Sequence, residues 1–325
     1  MMSTLSDHSA NPVRTMLLRH THALDADEHA LNLSQWDQRY DQLSSGAFEG
    51  SVTELWLPRT QVFVERANRQ LRQTCAAWRE SVWFGIPAAE DGQMSMGSKR
   101  LSADAVCIRD GGAEFDLMTA ANFDLYGIVV DRAAFAEHVE RSARQDLDRL
   151  LKQGDVISLP TLQKASLCAS LANILDDART PGEENPILLQ DRIFELLTRI
   201  LQQGHASAPV KRSQLSRQQT VDRIREHLLQ NPANPPSIPE LCERLHLSRR
   251  ALQNCVEEVT GLAPLAFMRS IRLNAVRREL RQGRTGEPIS SIAYNWGFSH
   301  LSQFARDYRQ LFGELPSEAR HQAEH

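Results

Sequence analysis

The chain has 325 residues, of which 41% are hydrophobic and 24% are charged, and its net charge is −4. These values exclude a disordered chain and a fibrous repeat, and the length predicts about two folded domains. The sequence contains no run of 18 apolar residues and no basic-then-apolar leader, so it predicts a cytoplasmic protein without a membrane span.

Three regions follow one another along the chain. Residues 31–43 are predicted to form a short amphipathic helix, and short β-branched and aromatic runs over about 46–130 predict a small antiparallel sheet or barrel. Apolar residues then recur at helical spacing in 132–152, 161–178 and 187–204, and residues 206–217 have the composition of a linker. We therefore predict an N-terminal domain over 1–205, β-rich over about 46–130 and helical over about 131–205, and a separate helical domain over 218–325.

Charge is divided unevenly between these regions. From Arg212 to the end, 16 Arg, no Lys and 12 acidic residues give +4, whereas residues 1–211 carry −8. A basic C-terminal domain suggests an anionic partner, although a solvated helix face would have the same composition. The spacing of motifs has to decide between them.

The helical domain contains an internal repeat. Six positions match at an offset of 51 residues, beginning with Ile238 and Ile289, and four more match at an offset of 52, ending with Pro264 and Pro316. Each copy has apolar residues at i, i+3, i+4 and i+7, then a turn, a serine and a second helix that ends at glycine. This pattern predicts helix-turn-helix units at about 237–261 and 288–313.

Local signals set the ends of the second helix in each unit. Ser248 and Ser299 are predicted to cap its start, and Gly261 and Gly313 to end it in the left-handed conformation. A helix over about 264–281 joins the units. Its 18 residues span about 27 Å, which with flanking turns approaches the ~34 Å between successive major grooves on one side of DNA.

The end of the chain carries a family resemblance. The stretch ISSIAYNWGFSHLSQFARDYRQLFGELPSEAR resembles the second helix-turn-helix signature of the AraC/XylS family of bacterial transcription regulators, and the resemblance covers about residues 219–320. It implies an α+β fold, with an antiparallel β-barrel or jelly-roll-like sensor before an all-α double helix-turn-helix domain, and contact with RNA polymerase. Glu257 and Glu258 stand where relatives often have basic residues, so weaker phosphate contacts are expected from the first unit.

In such proteins, bases are read from the exposed face near the start of each second helix. Arg suits guanine, Gln or Asn suits adenine, and Arg309 and arginines of the connecting helix suit phosphates. The candidate base-reading residues are Arg249, Arg250, Gln253, Asn254, His300, Ser302, Gln303 and Arg306.

The sensor region shows no catalytic pattern. Between Phe48 and Val130 there is no histidine, GxSxG elbow or Gly-rich phosphate loop, and the five cysteines of the chain form no CxxC pair. We therefore predict no catalytic residues, no metal site and no enzyme activity.

Residues 29–127 resemble the branch of the family that contains the ethanolamine-operon activator. The resemblance implies a small-molecule effector such as ethanolamine with adenosylcobalamin, although no DxHxxG cobalamin signature is present. A small cation suits carboxylates and aromatic rings, and core packing is the alternative role for the aromatic residues. The candidate ligand residues are Trp56, Trp83, Glu114, Asp116 and Tyr126.

Together these features predict a homodimeric, sequence-specific DNA-binding transcription regulator, most simply an activator. One alternative is a diverged regulator of quorum-sensing or virulence genes without an amine ligand. The other is a non-regulatory DNA- or protein-binding module. The charge of −8 on the first 211 residues argues against an architectural DNA protein, which we expect to be basic throughout.

Overall fold

The computed structural model describes residues 16–88, 94–179, 185–208, 210–282 and 286–323. Most of its first half is β-structure. The strands are β1 (Leu17–Ala23), β2 (Asp37–Gln42), β3 (Gly50–Leu57), β4 (Thr60–Ala67), β5 (Leu71–Ala76), β6 (Ser81–Pro87), β7 (Ser95–Met96), β8 (Lys99–Arg100), β9 (Ala105–Asp110), β10 (Phe115–Met118), β11 (Phe123–Asp131), β12 (Val156–Ser158) and β13 (His205–Ala206). They form two antiparallel sheets. Sheet A has the order β1-β3-β4-β11-β6-β9-β12-β13, and sheet B has the order β2-β5-β10-β7-β8.

The two sheets pack face to face around a buried cluster to which both contribute, which we call the sandwich interior. Trp83 of sheet A stacks on Phe115 of sheet B with ring centroids 4.7 Å apart, and Trp36 meets the Trp83 ring edge-on at 5.9 Å. No ladder joins the two sheets within the described ranges. The α+β class is therefore confirmed, and the described strands form a two-sheet sandwich rather than a closed barrel.

Helices cover the other face of sheet A. Leu189, Ile193 and Leu197 form the predicted apolar stripe, and all three are buried against this sheet. The predicted helix over 132–152 is two helices, because Arg144 adopts a left-handed conformation with φ of +52°. The helices of this half are α1 (Ala26–Leu31), α2 (Arg132–Ala143), α3 (Leu147–Leu151), α4 (Thr161–Asp177) and α5 (Pro186–Gln203).

The predicted helix over 31–43 is wrong. Helix α1 ends at Leu31, Gln35 has a positive φ of +62°, and the following residues form β2. Strand β2 pairs along its length with β5, and Tyr40 is buried in the sandwich interior. The helical spacing of four apolar residues did not decide the structure, because this segment pairs with β5, about 30 residues further along the chain.

The C-terminal half is helical. Its helices are α6 (Arg212–Gln230), α7 (Ile238–Leu245), α8 (Arg249–Thr260), α9 (Pro264–Arg281), α10 (Ile289–Asn295), α11 (Leu301–Phe312) and α12 (Pro316–Ala323). Helix α6 begins at Arg212, so the second half of the predicted linker is already helical. Helix α9 contributes Phe267 and Ile271 to one buried cluster with α6 to α8, and Val276 and Leu280 to another with α10 to α12.

The outer face of sheet B packs against the C-terminal half. Leu43 and Met118 from the sensor side belong to the same buried cluster as Val221 and Phe267. The side chain of Gln70 donates a hydrogen bond to the carbonyl of Thr260 at the end of α8 (3.1 Å). The two halves are thus in direct contact.

Candidate nucleic-acid interface

The first helix-turn-helix unit consists of α7 and α8. The backbone N–H of Ser237 donates to Glu240 Oε2 (2.7 Å), a reciprocal cap at the start of α7. His246 forms the turn with φ of +53°, and Ser248 Oγ accepts from the Ala251 N–H (3.2 Å) at the start of α8. Gly261 ends α8 in the left-handed conformation, with φ of +73°. The predicted Ser248 cap and glycine end are confirmed.

The second unit consists of α10 and α11. Gly313 ends α11 with φ of +82°, as predicted. The predicted Ser299 cap is wrong, because α11 begins one residue later and its N-cap is His300, whose side chain makes no capping bond. The inserted residue of the repeat lies at this junction and moves the serine out of the capping position.

The turn of the second unit packs against the segment between α6 and α7. Gly297 has φ of +73°, and a Cβ atom placed on it would lie 2.5 Å from Cδ of Pro235. Arg272 of α9 lies over the Phe298 ring at 4.6 Å and donates to the carbonyls of Trp296 and Gly297, both at 3.3 Å. Burial, with help from nearby Arg269, lowers the pKa of Arg272 to about 10. These contacts fix the turn that precedes α11, and sequence reasoning had not assigned this role to Arg272.

All nine predicted DNA-contacting residues are exposed. Those of the first unit lie on the first half of α8, and those of the second lie at the start and along the outer face of α11. Both sets therefore lie on the exposed side of the second helix of their unit, and at the offset of 52 Arg250 and Asn254 correspond to Ser302 and Arg306. The residues are Arg249, Arg250, Gln253, Asn254, His300, Ser302, Gln303, Arg306 and Arg309.

Local contacts orient some of these side chains. Arg306 donates to Gln303 Oε1 (2.8 Å), and Gln303 donates to the buried Asp307 (2.8 Å). Gln253 donates to Glu257 (2.9 Å), so one of the two unexpected acids on α8 holds a candidate base-reading residue. Gln303 and Arg306 of α11 are thus linked by hydrogen bonds that end at the buried Asp307, which favours a preorganised pair.

Five arginines of the connecting helix α9 contact protein groups. Arg277, Arg278 and Arg281 form ion pairs with carboxylates of the sensor half, and Arg272 is held by the second unit. Arg269 pairs with Asp307 (3.3 Å). Helical spacing placed these residues on one helix correctly, but it does not tell which of its sides faces protein.

The five candidate ligand residues do not meet in one place. Trp83 lies in the sandwich interior, whereas Tyr126 belongs to the cluster on the opposite face of sheet A. Trp56 donates to Ser34 Oγ (2.9 Å), Glu114 is exposed, and Asp116 pairs with Arg72 (3.0 Å). Glu114 and Asp116 were predicted to share one face of the β10 segment. The three aromatic residues lie on β3, β6 and β11, and strand pairing places them in different parts of the sandwich.

Metal-binding clusters and membrane-spanning helices are both absent from the described ranges. No group of three or more His, Cys, Asp or Glu residues there has the arrangement of a metal site. None of the helices in those ranges is both long and apolar enough to span a membrane.

Comparison with known proteins gives a consistent picture for the C-terminal half. Residues 241–322 match a family model described as a helix-turn-helix domain. XylDLEGF operon transcriptional activator 2 of Pseudomonas putida is 35% identical over 98 residues, which are 30% of this chain and 62% of that protein. The HTH-type transcriptional activator RhaS of Pectobacterium carotovorum subsp. carotovorum (strain PC1) is 27% identical over 154 residues, which are 47% of this chain and 53% of that protein. The match therefore spans less than two thirds of either relative.

The chain is also similar to a solved structure, that of a probable AraC family transcriptional regulator from Rhodopseudomonas palustris CGA009. The identity is 33% over 32% of this chain and 97% of that chain, and the TM-score is 0.30.

Proposed function

We propose, since the chain belongs to the AraC/XylS family of transcriptional regulators, that it binds a two-part operator through α8 and α11 and regulates transcription of the adjacent genes. One observation carries this proposal. The nine candidate DNA-contacting residues are all exposed, and each lies on or directly before the second helix of a repeated helix-turn-helix unit. An α-helix presented in this way fits the major groove.

Charge supports the same assignment. Arg249, Arg250 and Arg309 make no ion pair with any residue in the described ranges, so their guanidinium groups are available to bases and phosphates. A hydrogen bond to Gln303 orients the Arg306 side chain, whose planar guanidinium suits guanine O6 and N7. The arginines of α9 that face the sensor are already neutralised by carboxylates.

The operator is found by selecting bound duplexes from a random pool with the full chain. We expect Arg306→Ala to weaken binding to the selected operator about tenfold or more while binding to random DNA changes little. Arg309→Ala should weaken binding to both and reduce the salt slope by about one ion, because a phosphate contact carries no sequence information.

Arg141→Ala is the matched control, since Arg141 is an exposed arginine of the sensor half and its loss changes the net charge equally. It should leave operator binding unchanged. A chain that recovers no shared motif would contradict the proposal and would favour a non-regulatory DNA- or protein-binding module.

We further propose that the protein is a homodimeric activator that contacts RNA polymerase and works in the cytoplasm. The two curated relatives described above are transcriptional activators by name. Exposed leucines on α4 and α5, Leu162 and Leu188, support an interface with a second copy. Sedimentation of the full chain with and without operator tests the dimer, and a monomer on DNA would contradict it.

Ethanolamine with adenosylcobalamin stays a proposal that rests on the resemblance of residues 29–127. Its expected ligand residues do not converge, so the amine would need other contacts. Calorimetric titration of the full chain with amines and corrinoids tests it, and the absence of heat for all of them would overturn it.

A further inference from the structure

Carboxylates of the sensor and arginines of the DNA-binding half form a buried charge cluster between them, which we call the interdomain cluster: Asp25, Asp27, Asp41, Arg277 and Arg278. Arg277 pairs with Asp25, and their side chains are 6% and 1% exposed. Arg278 pairs with Asp27 (2.7 Å) and Asp41 (2.5 Å). Burial alone would raise the pKa of Asp25, but Arg277 and Arg281 outweigh it and hold the pKa below its ordinary value. Asp25 therefore stays ionised, and the contact is a true ion pair.

A second set of bonds holds the same surface. Strand β2 is an outer strand of sheet B, and Asn274 of α9 covers it. Asn274 Oδ1 accepts from the Gln42 N–H and Asn274 Nδ2 donates to the Gln42 carbonyl, both at 2.9 Å. The N–H of Gly46 donates to the carbonyl of Leu311 (3.0 Å). Two sensor amides are thus protected by acceptors that belong to the DNA-binding half.

Helix α1 depends on this contact at its start. Asp25 is its N-cap, and Oδ1 accepts from the N–H groups of Asp27 (2.9 Å) and Glu28 (3.0 Å) while Oδ2 pairs with Arg277. A helix of six residues has little stability of its own. Its position is therefore set by what it contacts.

The other contact of α1 lies inside the sandwich. His29 is fully buried, its Nε2 atom lies 3.1 Å from Glu65 Oε1, and its ring is 5.4 Å from that of Phe48. Glu65 also accepts from Gln73 (3.2 Å). A Cβ atom on Gly50 would come within 2.9 Å of the His29 ring, so the ring has no free space. The same short helix is fixed at the interior by His29 and at the domain contact by Asp25.

Strand β2 also contacts both the sandwich interior and the interdomain cluster. The side chain of Tyr40 is buried in the sandwich interior, with its ring 5.9 Å from that of His29. The next residue, Asp41, faces the opposite side of the sheet and pairs with Arg278. Burial and the charge of Glu65 raise the pKa of Tyr40 well above its ordinary value, so it stays neutral beside the carboxylate.

We propose that α1 and β2 couple the sandwich interior to the docking of the DNA-binding half, with the Glu65–His29 contact holding α1 where Asp25 and Asp27 can pair with Arg277 and Arg278. Removing one partner of a buried polar pair leaves the other uncompensated, and α1 then has to move. Its motion withdraws two carboxylates from the interdomain cluster together. The effect of this coupling on transcription rests on the proposed function, whereas its effect on docking does not.

Hydrogen exchange of the full chain, measured without DNA, tests the coupling. The reporters are the amides of Gln42 and Gly46, whose acceptors lie across the domain contact. Glu65→Gln keeps the shape of the side chain and removes its charge. We expect it to accelerate exchange of both reporters about tenfold or more, while the amides of β6 and β9 in sheet A exchange as in the wild type.

Three further variants make the outcome decisive. Asp25→Asn breaks the cluster directly and should accelerate the same reporters. Glu54→Gln removes an equally buried carboxylate whose partners, Arg19, Ser34, Trp56 and Gln61, lie outside α1 and β2, and should leave the reporters protected. His29→Gln breaks the same interior contact if Glu65→Gln does not fold.

Reporters that open in Asp25→Asn but stay protected in Glu65→Gln and His29→Gln would overturn the coupling. Equal acceleration in Glu65→Gln and Glu54→Gln would also overturn it, since any loss of buried charge would then suffice. A chain that selects no operator would overturn the proposed function, and the exchange result would still decide the coupling.

Discussion

The two helix-turn-helix units share a turn but differ in the residue that makes it. His246 and Gly297 stand 51 residues apart at the same point of the repeat, and both have positive φ, +53° and +73°. In the first unit a histidine side chain points to solvent. In the second unit Pro235 and the carbonyl of Pro232 would lie 2.5 and 3.0 Å from a Cβ atom. The backbone geometry is thus a property of the motif, whereas the need for glycine comes from packing of the second turn against the segment between α6 and α7.

The start of the second helix differs too. Ser248 caps α8 with its hydroxyl, but α11 starts after His300 without a side-chain cap. In the second unit, Arg272 and the Gly297 turn do the positioning instead. A unit can therefore be held either by its own cap or by its neighbour, and these alternatives predict different sensitivities to substitution.

The largest expected effect is from Gly297→Ala. The methyl group meets Pro235 and a backbone carbonyl in a left-handed conformation, so we expect a loss of roughly 2–4 kcal/mol in the free energy of unfolding, measured by denaturant titration. Gly261→Ala is the matched control, because it has the same φ but its nearest neighbour is 4.0 Å away. It should cost about 1 kcal/mol. Equal losses would mean that φ alone sets the cost.

Arg272→Lys should have the next largest effect. Lysine keeps the charge but cannot cover the Phe298 ring and reach two carbonyls as the planar guanidinium does, so we expect a loss of roughly 1–2 kcal/mol in the free energy of unfolding. Arg269→Lys, at a half-exposed ion pair, should change stability by less than about 0.5 kcal/mol. A larger effect at Arg269 would show that charge, not shape, secures this turn.

The two serines sharpen the comparison further. Ser248→Ala removes a hydroxyl that accepts from an N–H of α8 and should cost about 1 kcal/mol. Ser299→Ala should stay within about 0.5 kcal/mol, because Ser299 lies outside the cap position of α11. Thermal unfolding of the two variants side by side measures both, and a cost at Ser299 similar to that at Ser248 would restore the cap predicted from the repeat.

The smallest effect is a gain. His246→Gly relieves a non-glycine residue from positive φ at an exposed turn, and we expect the free energy of unfolding to rise by about 0.5–1 kcal/mol. A loss on the same measurement would indicate that the imidazole makes a contact that stabilises the first turn.

The sequence was a good guide wherever structure is local. The repeat located both units, because helix periodicity and terminal glycines act within about ten residues, although only one of the two predicted serine caps forms. The same holds for the α5 stripe and for the six β-rich runs between β3 and β11. The candidate base-reading positions came from the family resemblance, and the structure places them on the exposed side of α8 and α11.

Prediction failed where a distant partner decides. Tyr40 was assigned to a helix because its strand partner and its neighbour His29 cannot be inferred from the spacing of residues 31–43. The carboxylate partners of Arg277 and Arg278 lie about 240–250 residues earlier, so the spacing of the connecting helix could not show that both arginines face protein. The five candidate ligand residues do not converge, for a third reason. Alternation along one strand does not tell which face of the sandwich the residues of neighbouring strands occupy.

The bonds between Asn274 and Gln42 have a consequence for the protein on its own. Strand β2 lies at the rim of sheet B, and Asn274 satisfies backbone groups that would otherwise be bare. Such a rim can recruit a strand from another molecule. We expect an N-terminal fragment that ends before α6 to expose this edge and to self-associate as its concentration rises.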